Sequence, residues 1–291
     1  MSTPLLFADD LKLVYEVKHA SDHDMLQQDI DRVVSWSIDN KLLFNVAKCS
    51  VLSFSRARFP LHHVYTVEGA PLQRVTEVKD LGVTFTANLN FRQHIIEVCK
   101  KAYRNLGFVL RQANHFTNIR ALRVLYEALV KSHLECNAVV WSPHESKYKL
   151  MLERTQNKFL RFLYLKQYGV YPGYPFLYPT LFFVLGMVGY FKLEVRRELA
   201  LSAYLLKIIR GHIHNPAILE EVKLCVPEEY VGRRRRPPQF SVPRARTNLL
   251  QLAPLTRALR TLNTVAERVD VFSCSLTEFT RATLCVLCDY D

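Results

Sequence analysis

The spacing of apolar side chains changes once along this chain. Up to about residue 86 they come in short runs or alternate, as strands require; from Asn88 they recur every three to four residues, as helices require. The first two runs, Leu5–Phe7 and Leu11–Val17, flank the adjacent carboxylates Asp9 and Asp10. Their strand-favouring residues predict a β-hairpin with both aspartates at or beside its turn. Ser21-Asp22-His23-Asp24 predicts a helix start, with Ser21 as the cap and Asp24 three residues on. Met25 or Leu26, Ile30, Val33, Val34 and Ile38 then fall on one face, and Asn40 is the stop. A strand is predicted at Cys49–Phe54, with extended stretches at His63–Val67 and Val75–Thr84 and a turn at Gly69-Ala70-Pro71 between them. Hairpin, helix and about three more strands make a small α+β unit.

The second pattern predicts helices. One, capped by Asn88 or Asn90, runs to about Ala113 with Phe91, Ile95, Val98, Ala102, Leu106 and Val109 or Leu110 on one side. Another runs from Asn118 to about Cys136 with Leu122, Leu125, Leu129 and Leu134 apolar, and a third from about Lys147 to Leu165. Further on, Leu193–Arg210 is predicted helical with Arg196 and Arg197 exposed, Asn215-Pro216 opens the next turn, and Leu249–Arg268 is helical again. Gln167–Phe191 holds no charged residue, long enough to raise a membrane span. Pro172, Pro175, Pro179 and several glycines interrupt it, so a buried loop plus helix is the stronger expectation, without a membrane partner.

Composition sharpens this picture. Apolar content of 49% with 23% charged residues is that of a globular chain, and 291 residues allow one large domain or two to three small ones. A formal net charge of +12 predicts attraction to a polyanion. Leu89–Lys166 concentrates that charge, with 14 Lys or Arg against 5 Glu. Basic outer faces on helices suit phosphate-backbone contact, although any single lysine reads equally as a solvated surface residue. Arg233-Arg234-Arg235-Arg236 before Pro237-Pro238 reads as a loop: a nuclear-import signal, a phosphate clamp or a merely solvated segment. Seven scattered cysteines with no secretory signal predict reduced thiols in an intracellular, not secreted, protein. Cys285-Val-Leu-Cys288 has metal-ligand spacing, but no second Cys pair or His–His set accompanies it, so zinc is weakly indicated. No Gly-rich phosphate loop, Ser–His–Asp order or histidine cluster points to another chemistry. For Asp9 and Asp10 two readings stand: a solvated turn, or a hard-oxygen site for magnesium (Mg2+).

Several motifs in order resemble a known family. They are Phe7-Ala8-Asp9-Asp10, the run Trp36-x-x-x-Asn40-x-Leu42-x-x-Asn45-x-x-Lys48-Cys49, Ser53-Phe54-Ser55 and Lys79-Asp80-Leu81-Gly82-Val83. Asn90-Phe91-x-x-His94-Ile95, Leu125-Tyr126-x-x-Leu129-Val130, Leu134-Glu135 and Val140-Trp141-Ser142-Pro143 follow at matching spacing. The series is similar to the C-terminal part of the reverse transcriptase of jockey-like non-LTR retrotransposons, an RNA-directed DNA polymerase.

The resemblance implies a partial polymerase palm over 1–86 with further antiparallel strands. A helical thumb-like region over 87–166 and a helical C-terminal region over 167–291, carrying the 233–236 loop, would follow. Asp9, Asp10 and Lys48 would be catalytic: Asp9, the better candidate ligand, and its partner Asp10 would hold Mg2+, and Lys48, close to the incoming nucleotide, would stabilise charge or protonate the leaving group. Leu81, Gly82 and Val83 would grip the primer end. Lys100, Lys101 and Arg104, with Arg233, Arg234, Arg235 and Arg236, would contact the RNA template and DNA primer. In that family another catalytic aspartate and the fingers lie upstream of the two-aspartate turn, whereas here only Met1–Leu6 precede Phe7. The expectation is therefore a fragment inactive alone unless a missing N-terminal polymerase half is supplied, or else a non-enzymatic, basic nucleic-acid-binding derivative. Entry to the nucleus is left open by the Arg-rich loop.

Overall fold

The computed structural model describes residues 2–55, 63–113, 118–172, 184–226 and 238–288. The chain forms two compact units, Met1–Phe91 and Arg92–Asp291. Strands and helices coexist, and the helices dominate the second unit.

The first unit opens with strands β1 (Thr3–Phe7) and β2 (Asp10–Val14), then helix α1 (Ser21–Asp39). Six short strands follow: β3 (Ser50–Leu52), β4 (Thr66–Val67), β5 (Ala70–Pro71), β6 (Gln73–Val75), β7 (Glu77–Asp80) and β8 (Val83–Thr86). They pair two by two; β1–β2, β4–β5 and β7–β8 are antiparallel, but β3–β6 is parallel. This corrects the expectation of antiparallel strands only. A long connection containing the β4–β5 hairpin separates β3 from β6, which gives the chain room to return in the same direction.

Two turns also differ from expectation. Glu68 and Gly69, at φ 51° and 77°, make the β4–β5 turn, so Ala70-Pro71 is strand rather than turn. The expected extended stretch Val75–Thr84 folds back at Leu81 and Gly82, at φ 45° and 85°. Positive φ at both central residues gives a two-residue turn whose twist matches that of the flanking strands.

In α1 the cap is not Ser21, which is the first helical residue after Ala20. No side chain caps the helix; Asp22 instead orders the chain entering it, its Oδ2 accepting the Lys18 and His19 backbone N–H groups, each at 2.7 Å, which holds its carboxyl below the usual range. The expected apolar stripe is only half-buried, and Met25 and Ile38 are exposed. The fully buried positions are His23, Asp29 and Ser37. Each makes a polar contact, His23 with Tyr65, Asp29 with the Ser2 N–H and Ser37 with Leu42 O, and Gln27 links the helix to β4. His23 Nδ1 lies 2.7 Å from Tyr65 Oη, and the Gln27 amide both donates to Thr66 O and accepts from Thr66 N–H at 2.9 Å.

The second unit contains α2 (Arg92–Gln112), α3 (Ile119–Tyr126), a π-helical turn (Glu127–Lys131), α4 (Ser132–Glu135), α5 (Ala138–Trp141) and α6 (Ser146–Tyr168). After these come α7 (Leu193–Ile209), α8 (Pro216–Glu221), α9 (Asn248–Gln251), α10 (Pro254–Ala266) and α11 (Leu276–Cys288). Asn118 caps α3 by accepting the Arg120 N–H, and Asn215 caps α8, as their side chains suggest. The helix expected over 118–136 is interrupted by the π turn. As a result Leu122, Tyr126, Val130 and Leu134 are buried, rather than Leu125 and Leu129. The Asn105 side chain donates to Leu129 O at 2.8 Å, giving that carbonyl a partner from α2. The helix expected over 249–268 breaks at Pro254, which has no N–H to continue it and starts α10 instead.

Within the apolar stretch, residues 184–188 are helical, with Val184, Leu185 and Val188 buried; residues 173–183 lie outside the described ones. Among the described residues no helix is long and apolar enough to cross a membrane.

One core cluster runs through α7, α10 and α11, where Leu201, Leu205, Leu206, Leu259, Leu262 and Phe279 pack together, and Leu106, Leu122, Tyr126 and Phe159 are buried on α2, α3 and α6. Contrary to expectation, Arg197 is 1% exposed, and Arg196 is half-buried in a two-pronged pair with Glu135. Both face neighbouring helices because α7 contacts α4, α5, α6, α10 and α11. Glu198 pairs with Arg257, whose guanidinium also donates to Ser142 O at 3.2 Å and Ser142 Oγ at 3.3 Å. Replacing one member of a buried pair strands the other. Arg257→Ala is therefore expected to lower the unfolding free energy by about 3 kcal/mol, while Arg197→Met, which breaks no hydrogen bond and leaves Glu153 with the Glu194 N–H, costs less. Urea unfolding of the two variants checks this contrast.

Candidate metal and nucleic-acid site

Phe7 and Asp10 are the last paired residues of the first hairpin, so Ala8 and Asp9 form its two-residue turn. The expected position of both carboxylates, at and beside the turn, is what the fold contains. Ala8 has φ 52°, a left-handed conformation that costs an L residue about 1–3 kcal/mol. Asp9 and Asp10 are both exposed, as are the apolar residues Leu6 and Phe7.

Two polar contacts fix the hairpin. Ser2 N–H donates to Oδ2 of the buried Asp29 on α1 at 2.5 Å, and Arg32 donates to Oδ1 at 3.0 Å. The Ser2 N–H, with help from Arg32, holds the Asp29 carboxyl below its usual range. Lys12 Nζ lies 2.6 Å from Asp80 Oδ1. That pair joins β2, two residues beyond Asp10, to the residue just before the Leu81-Gly82 turn. Leu81 and Gly82 are exposed, whereas Val83 is buried and supports the turn from beneath.

Lys48 is exposed at the end of a one-turn 3-10 helix, Val46–Lys48, leading into β3. Among the described residues no ion pair joins it to Asp9 or Asp10. Lys100, Lys101 and Arg104 are exposed on α2. Lys101 and Arg104 both lie close enough to His133, on α4, to lower its proton affinity, second only to its burial. Arg111 extends the same basic face, and Lys158 of α6 lies 5.7 Å over the Tyr103 ring. These two were missed in the sequence, although the seven-residue step from Arg104 to Arg111 is a helical signal. Arg233, Arg234, Arg235 and Arg236 lie outside the described residues.

Asp9 and Asp10 supply hard carboxylate oxygens of the kind Mg2+ takes, and so fit such an ion as part of a donor set. Among the described residues no group of three or more His, Cys, Asp or Glu gathers that could hold a metal. Cys285 and Cys288 are exposed thiols one turn apart on α11, short of the four ligands of a closed zinc site. No family model, curated protein or solved structure matches this chain.

The Asp29 contacts carry a pH signature. A carboxyl whose folded-state affinity for protons is lowered adds stability above its ordinary range and loses it as pH falls through and below that range. Asp29→Asn is expected to destabilise the first unit by about 1.5 kcal/mol at neutral pH and by much less near about pH 3. Denaturant unfolding of both proteins at the two pH values measures the difference; an equal loss at both would remove the charge from the account.

Proposed function

We propose that this chain is part of a non-LTR retrotransposon reverse transcriptase, an RNA-directed DNA polymerase, with Asp9 and Asp10 in its nucleotidyl-transfer site. The observation that carries the reading is a pair of carboxylates at and beside a two-residue turn, braced through Lys12 and Asp80 against a second turn at Leu81-Gly82. Bound Mg2+ would supply Lewis-acid stabilisation of the charge that develops on the transferred phosphoryl group. Asp9 and Asp10 would hold it, and the exposed Lys48 would offer positive charge to the nucleotide phosphates. Leu81 and Gly82 would position the primer end. Lys100, Lys101 and Arg104 would hold the template–primer backbone without reading its sequence. Its partners are then an RNA template and a DNA primer, met inside the cell and, through the Arg-rich loop, in the nucleus.

Leu6 is 73% exposed and Phe7 60%, on a hairpin that pairs with no further strand among the described residues. A lone hairpin is marginal in water, which supports its packing against more polypeptide in the working polymerase. Two carboxylates without a third also predict weak metal binding, so extension by this chain alone should be negligible. A non-enzymatic nucleic-acid-binding role is the second reading, favoured by the same shortfall together with the basic face of α2.

Primer extension on an RNA template separates the two readings. With a polymerase half carrying the missing carboxylate added, extension should depend on Mg2+ and fall by about 10²-fold in Asp9→Asn. Under either reading, affinity for an RNA–DNA duplex should drop steeply as salt rises. Extension indifferent to Asp9→Asn and Asp10→Asn would remove their assigned roles, and binding that stays flat with salt would remove the electrostatic one.

A further inference from the structure

Helix α2 carries on its outer face a residue that charge does not explain. Its buried positions, Ile95, Cys99, Ala102, Leu106 and Val109, line one side at 100° per residue. Lys100, Arg104 and Arg111 project from the opposite side, with Lys101 at its flank. Phe108 stands among them, four residues after Arg104 and three before Arg111, and is 49% exposed. Arg111 folds back over Gly107: a Cβ added there would meet its Nη1 at 3.6 Å, which brings a cation to the turn that holds the ring.

A duplex backbone held by lysines and arginines needs no aromatic group. Among the described residues Phe108 stacks on no other ring, and a solvated helix face favours a polar side chain in its place. A flat apolar face amid cations suits a base that is not already stacked within a duplex. An anionic membrane surface would want a broad apolar stripe; here Gln93, Glu97 and Gln112 share the outer face with the one aromatic.

We infer that Phe108 is a stacking platform for an unpaired base of a single-stranded nucleic-acid segment whose phosphates are held by Lys100, Lys101, Arg104 and Arg111. The inference rests on the nucleic-acid reading above and adds to it the single-stranded character of the ligand at this face.

Fluorescence anisotropy of the full chain tests it with three probes: a labelled mixed-sequence RNA single strand, the same strand paired with DNA, and phosphatidylcholine–phosphatidylserine vesicles. Phe108→Ala should weaken single-strand binding about tenfold and leave duplex binding within about twofold, while Phe108→Trp keeps both. The double variant Lys100→Ala, Arg104→Ala should weaken both complexes and flatten their salt dependence. Because Phe108 is half in water, its variants should melt with the wild type, which separates lost stacking from lost fold. Salt-dependent binding indifferent to Phe108, or an equal loss on single strand and duplex, overturns the stacking role and leaves the nucleic-acid reading intact. No binding to either nucleic acid overturns both. Vesicle binding lost in Phe108→Ala replaces the stacking role with a membrane contact.

Discussion

Three successive charged residues on α7, Arg196, Arg197 and Glu198, constrain how the helical unit is assembled. Six other helices contact α7, so no side of it is left on which all three can reach water. Each charge is met by another element: Glu135 of α4 takes Arg196, and Arg257 of α10 takes Glu198. Arg197 is balanced through space by Glu153, Glu194 and Glu135, while burial works against its charge. Glu153 is itself pushed up by burial and eased by accepting the Glu194 N–H at 2.8 Å. Such a seam adds little net stability, because desolvation offsets attraction. It fixes instead which helices meet, since any other arrangement strands a charge.

The π turn serves the same assembly. It brings Lys131 to 4.4 Å over the Tyr190 ring and lets Glu127 accept the Tyr190 hydroxyl at 2.6 Å, which ties α3 and α4 to the chain entering α7. Tyr126 stacks on Phe159 of α6 at 3.9 Å, closing the same region with an apolar contact. With the inner faces fixed in this way, α2 is free to present its cations outward. The phosphate contact proposed for that face would gain from such rigidity, because ordering long cationic side chains and their backbone together would cost more binding energy.

The first unit is built differently. Its sheets are pairs of strands, too small to bury a continuous face, and α1 is held to them by hydrogen bonds rather than by its apolar stripe. That explains why the hairpin bearing Asp9 and Asp10 keeps apolar residues in water while its position is set by ionic contacts at Asp29 and Asp80. The tip is anchored by polar contacts and poorly covered.

Local signals in the sequence were enough for the elements that depend on local chemistry. Alternating apolar residues around two aspartates made the first hairpin, Asn118 and Asn215 capped the helices they precede, and 3.6-residue spacing marked α2 and α6. The basic face of α2 was legible for the same reason, since helix geometry alone sets which residues share a side. What the tertiary structure decided is where a side chain's partner comes from a distant segment. Arg197 reads as a surface residue until α7 is surrounded, and the Leu122–Leu134 face shifts once the π turn is inserted. β6 runs parallel to β3 only because a hairpin lies between them. Capping, turn and periodicity energies act within a few residues and are written in order along the chain. Burial and charge pairing depend on contacts dozens of residues apart, which only the folded chain selects.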